Sequence, residues 1–121
     1  MINANELRIG NFIGDKQRPY FPITLDNIKY FHTFLPIPIT PEILEKCGFK
    51  KNRNNEMAIE INNISGHLEL NEGGCNYFYP SFTQTPQGGE ERTVYFNRIQ
   101  SLHQLQNLYF ALTGEELTIT F

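Results

Sequence analysis

Residues 99–114 read IQSLHQLQNLYFALTG, and this stretch decides the fold. Ser101, followed three residues later by Gln104, is the S-x-x-Q form of a capping box. In that motif two side chains satisfy backbone donors that a helix start leaves orphaned. Gly114 follows the last periodic residue and accepts the left-handed conformation that stops a helix. Between these caps Leu102, Leu105, Leu108, Tyr109 and Leu112 recur at spacings of three and four. At about 100° per residue they share one arc of roughly 120°. The pattern predicts a long C-terminal helix whose leucine spine lies on a β-sheet. Its opposite side carries His103, Gln106, Asn107 and Phe110, and no Asp, Glu, Lys or Arg occurs from Ile99 to Gly114. A solvent-facing helix side ordinarily carries charge. Two explanations follow. Either another part of the same chain covers this side, or His103, Gln106, Asn107 and Phe110 form a contact surface for a partner or a second copy.

On either side of the helix the period changes to two. Arg92 to Arg98 alternates Val94 and Phe96 against Thr93, Tyr95 and Asn97, and Glu116 to Phe121 places Leu117, Ile119 and Phe121 on one side. Both read as strands, so a strand–helix–strand return from Arg98 to Thr118 is expected. Upstream, Met57 to Asn62, His67 to Leu70 and Asn76 to Thr83 read as an antiparallel meander turned at Asn63–Gly66 and Asn71–Gly74. Pro80 demotes the third of these strands to an edge or bulged position. Gln84 to Glu91, with Gly88-Gly89, reads as a mobile loop.

Pro36 and Pro38 break the chain before a short helix near residues 41–47. Thr40 caps it, Pro41 sits at the first position where a missing N–H costs nothing, and Gly48 ends it with Phe49 folding back on Leu44. Cys47 falls on its buried side as a small core residue. Lys50 to Glu56 reads as a polar loop. Nearer the N-terminus, Asn5 to Ile13 reads as a strand, with Gly10 marking a bulge or a close backbone approach. Tyr20 to Phe34 is rich in β-formers, split or bent at Asp26-Asn27. Segregated strands and helices define an α+β class, an antiparallel meander packed by one long helix plus one short one.

With 121 residues the chain is expected to form one domain, 1–121. A formal charge of −3 gives no general attraction for nucleic acid or anionic membrane. No apolar run approaches the roughly 20 residues that span a bilayer. The opening MINANELRIG lacks the basic and apolar regions of a secretory leader, so a cytoplasmic protein with reduced Cys47 and Cys75 is expected.

Chemistry-bearing motifs are sparse. His32, His67, His103, Cys47 and Cys75 show no paired spacing of the kind a metal site uses. Ser65-Gly66-His67 reads as a turn, and Glu60, Glu69 and Glu72 as a solvated face. Neither phosphate-cradling glycine motif occurs. No catalytic residue, metal ligand or cofactor is expected. A nucleic-acid alternative rests on Tyr77, Phe78, Tyr79 and Tyr95 as stacking platforms with Lys46, Lys50, Lys51 and Arg53 for phosphates. Its narrower candidate set is Tyr77, Tyr79, Tyr95, Lys50, Lys51 and Arg53. The acidic balance argues against it.

The blocks NELRIGNFI, PIPITPEILEKCGF and HQLQNLYFALTGEEL resemble a family of short proteins of Bacteroides-type bacteria, their phages and mobile elements. Phe12 stands where that family often has Trp. The family has no established activity, cofactor or partner, so the resemblance implies setting alone: a bacterial cytoplasm and an accessory gene. The expected function is a non-enzymatic interaction module. The alternatives are a single-strand-binding domain and, more weakly, an enzyme whose site is assembled from distant residues.

Overall fold

A computed structural model describes residues 6–61, 65–73, 77–84 and 89–121. The fold is α+β, with a two-stranded sheet, a five-stranded antiparallel sheet and a C-terminal helix. The chain divides into two compact units, Met1–Ile39 with Ser101–Glu116, and Thr40–Gln100 with Leu117–Phe121.

In the first unit β1 (Phe12–Ile13) pairs antiparallel with β2 (Phe21–Pro22), and both strands are two residues long. The longer strand expected from Asn5 is not formed. Residues 8–11 turn instead: Asn11 N–H bonds the Arg8 carbonyl at 3.0 Å, and Asn11 Oδ1 accepts Arg8 N–H at 2.7 Å. Gly10 takes φ +95° in this turn, a conformation that L side chains rarely adopt. Gly14 marks a close approach, since a Cβ there would lie 2.6 Å from the Pro19 carbonyl oxygen.

The β-former-rich segment after β2 does not extend. Asn27 Oδ1 accepts Thr24 N–H at 2.8 Å and its amide donates to the Pro22 carbonyl at 3.0 Å. A short polar side chain has thus outcompeted a ladder for the backbone. A 3-10 helix, Ile28–Thr33, follows. Ile13, Phe21, Ile23 and Phe34 form the small core, with Phe21 and Phe34 edge to face at 5.5 Å.

Helix α2 (Leu102–Thr113) closes this unit. Gln104 Oε1 accepts the Ser101 backbone N–H at 3.2 Å and its hydroxyl at 3.0 Å, and Gly114 ends the helix at φ +74°. Leu102 and Leu105 are fully buried, whereas Leu108, Tyr109 and Leu112 are half-buried.

The second unit begins with α1 (Pro41–Lys46). Thr40 Oγ1 accepts Ile43 N–H at 3.2 Å. At the other end Phe49 N–H reaches the Leu44 carbonyl at 2.9 Å and Gly48 N–H the Glu45 carbonyl at 3.0 Å, with Gly48 at φ +92°. Those two bonds are the complete Schellman pattern. The sheet follows in sequence order: β3 (Lys50–Lys51), β4 (Met57–Ile61), β5 (Gly66–Glu72), β6 (Phe78–Gln84) and β7 (Arg92–Tyr95). The expected polar loop after Lys50 is thus a β3–β4 hairpin, whose turn is held by Asn52 Oδ1 accepting from Asn54 and Glu56. Met57, Ile61, Leu68, Leu70, Phe78 and Phe82 supply the buried face.

Pro80 lies in an interior strand, at a bulge. Ser81 pairs with Tyr95 and Phe78 with Ile99, so two β6 residues face three, Phe96 to Arg98, on the other strand. The expected strand at residues 116–121 does not join a sheet. Thr120 N–H instead bonds the Lys46 carbonyl at the end of α1, at 3.0 Å, so no strand–helix–strand return forms. The expected turns at 63–66 and 71–74, the loop at 84–91, the first residues of the chain and Cys75 fall wholly or partly outside the described residues.

Candidate functional site

The charge-free side of α2 is covered from within its own unit. His103 and Gln106 are each 1% exposed. Gln106 Oε1 accepts Phe12 N–H at 2.7 Å, and Gln106 Nε2 donates to the Gly10 carbonyl at 3.3 Å. Asn107 donates to the Glu6 carbonyl at 2.6 Å and accepts from Arg8 Nε and Asn11 Nδ2, both at 2.9 Å. Irregular chain leaves backbone groups without ladder partners, and two amides, each both donor and acceptor, satisfy them here. Charged side chains in these positions would lose their hydration without offering both functions.

Arg8 completes the clamp. It forms an ion pair with Glu116, and its guanidinium lies 4.6 Å from the centre of the Phe110 ring. Phe110 is 41% exposed, so of the four partner-binding candidates it alone presents a broad exposed surface; Asn107 is half-buried. The imidazole of His103 meets Glu6 Oε2 through Nε2 at 3.2 Å, while its Nδ1 is buried without a partner among the described residues. Burial holds the His103 pKa below the usual histidine value, against the opposing pull of Glu6.

The nucleic-acid candidates separate across the second unit. Lys50, Ala58, Glu69, Ser81 and Tyr95 form one row across the sheet, with Glu60, His67, Thr83 and Thr93 beside them on the same face. Tyr79 shares this face and Tyr77 is covered by the Arg98 guanidinium, 4.3 Å from its ring centre. Four strand spacings of about 4.8 Å put Lys50 roughly 19 Å from Tyr95, with the Glu69 carboxylate between them. Lys51 pairs with Met57 on the other face, and Arg53 stands in the exposed β3–β4 turn. Tyrosines and lysines are therefore not brought together.

The remaining chemical groups disperse as well. His67 and Glu69 are 3.8 Å apart, whereas His32 lines a different hollow of about 460 Å³ with Asp15, Lys16 and Thr33. Glu60 lines an open groove of about 390 Å³ with Lys50 and Lys51. Desolvation raises the Asp15 pKa, but the Arg18 and Gln17 backbone N–H groups together with the Arg18 guanidinium outweigh it and hold the carboxyl below its usual value. Its role is to close the Asp15–Arg18 turn. Cys47 is buried and its thiol is pushed up to about 11, so it is held in the protonated, unreactive form. No group of three His, Cys, Asp or Glu positioned for a metal occurs among the described residues. No described helix is long and apolar enough to cross a membrane.

What sequence reasoning missed is the edge of the sheet. All four β7 residues are exposed, including Val94 at 54% and Tyr95 at 76%. Tyr79, exposed at 46%, is close by on the Tyr95 face. Alternation alone gives a strand two faces, but it does not say whether the strand is the last in its sheet. No protein-family model matches the chain, and neither a curated protein nor a solved structure matches it.

Proposed function

We propose that this protein is a non-enzymatic interaction module whose contact surface is the β6–β7 end of its larger sheet. The setting is the one the family resemblance implies, an accessory protein of a bacterial cytoplasm or phage. The observation that carries the reading is that Tyr79 and Tyr95 on one face, and Val94 on the other, are all exposed around the β7 edge of the sheet. Single exposed apolar residues are ordinary. Several around one strand edge form a patch of the kind that partners cover, and tyrosine provides contact area at small entropic cost.

Chemical cross-linking followed by affinity capture from cells of the source organism tests this, with the intact chain and Tyr95→Asp as baits. The expected result is a protein retained by the former and at least tenfold depleted with the latter. Equal retention by both overturns the reading. So does retention of a single-stranded oligonucleotide that weakens steeply with salt and is lost with Tyr79→Ala, because that dependence reports phosphate contacts.

A further inference from the structure

The five-stranded sheet has two edges, β3 and β7. Lys50 and Lys51 make up the whole of β3. Lysine guards an edge because an added strand would crowd or bury its ammonium group. No lysine stands on β7, and its four residues are exposed.

The direction of its backbone groups follows from one bond. Phe96 N–H donates to the Pro80 carbonyl at 3.0 Å. Bonding direction alternates along an antiparallel strand, so Val94 and Arg92 also bond towards β6. Thr93 and Tyr95 then turn their N–H and C=O groups away from it. Among the described residues nothing pairs with those four groups. The bulge at Phe96–Arg98 limits this open ladder to the length of β7.

We infer that β7 pairs antiparallel with β7 of a second copy of this chain, joining the two sheets across a two-fold axis at Val94. The inference rests on the interaction reading above and names the partner of that same surface. One register lets both outward-bonding residues find outward-bonding partners. It sets Thr93 opposite Tyr95 of the second copy, Tyr95 opposite its Thr93, and Val94 opposite its Val94. Four backbone hydrogen bonds result, with two exposed valines brought together in the narrow pair. Charge order favours the same arrangement. Glu90 and Glu91 precede β7 and Arg98 follows it. Antiparallel pairing runs the acidic flank of each copy along the basic flank of the other. Such a contact uses the same patch on both chains and closes on itself, so it gives a dimer and not a fibre.

The interface is small, and contacts below about 1,200 Å² are weak, so dissociation is expected at roughly 0.1 mM or above. Sedimentation velocity between about 10 µM and 1 mM should show mass rising from monomer towards dimer. Hydrogen exchange at the Thr93 and Tyr95 amides should slow over that range while Val94, bonded to β6, is unchanged. Val94→Lys places two ammonium groups across the axis, and Tyr95→Pro removes an outward donor without costing a β6 bond. Each should raise the dimerisation concentration at least tenfold with an unaltered thermal midpoint. A monomer throughout, Thr93 and Tyr95 amides already protected at the lowest concentration, or a Val94→Lys dimer like the parent overturns the proposal. Should Tyr95→Asp lose a different protein while mass never rises, the interaction reading stands and self-pairing fails.

Discussion

Gln106 Oε1 accepts the backbone N–H of Phe12 at 2.7 Å, across 94 positions of sequence. With the second bond from Gln106 Nε2 to Gly10, one buried amide holds the start of β1 on the helix. Gln106→Leu preserves the volume but strands the part-buried Phe12 N–H and Gly10 carbonyl. The expected loss is about 2–4 kcal/mol, from a cost of about 1–3 kcal/mol for each orphaned group less partial relaxation. Urea unfolding measures it; a loss below about 0.5 kcal/mol would mean the amide does not hold the segment.

Phe110 lies under the Arg8 guanidinium and is still largely exposed. Phe110→Ala is therefore expected to cost only about 0.5–1 kcal/mol, the worth of an exposed cation–π contact, and to leave mass in solution unchanged. Arg8→Ala should cost more, because it also removes the bonds to Asn107 and Glu116. Equal costs in thermal unfolding would show that these polar bonds add nothing.

His103 predicts a pH dependence with a definite sign. Its folded pKa is depressed by burial, so the unfolded chain binds more protons as pH falls towards and below about 6.5. This histidine's stabilising contribution is complete above that value and declines on acidification. Thermal midpoints between about pH 7.5 and 5.5 should therefore fall. His103→Gln should fall less over the same range, and a parallel decline would remove His103 as the cause.

Cys47 is expected to resist alkylation. A thiol with a pKa of about 11 in a residue only 3% exposed carries almost no thiolate at pH 8. Peptide mapping after iodoacetamide treatment should find Cys47 unmodified in the folded protein and fully modified in denaturant. Labelling of the folded protein at the denatured rate would contradict its burial.

Local signals carried well where one residue's chemistry decides its own backbone. Thr40, Pro41, Gly48 and Phe49 specified both ends of α1, and Ser101, Gln104 and Gly114 those of α2. The three meander strands were legible from alternation, and Pro80 from its missing donor. Propensity failed at Tyr20 to Phe34 and at Glu116 to Phe121. A β-former becomes a strand only when another strand lies beside it, and in these segments an Asn27 side chain and the end of α1 engage the backbone instead.

The candidate surface divides in the same way. Sequence by itself determined that one side of the C-terminal helix is free of charge, because helical period and residue type are local properties. Tertiary structure alone decided that the Glu6–Phe12 segment covers that side, with Gln106 and Asn107 as its fastening. It also decided that β7 ends the larger sheet. Hydrogen bonds between residues nearly a hundred positions apart leave no periodic trace in the chain. Nor does any residue within β7 encode the absence of a further strand beside it.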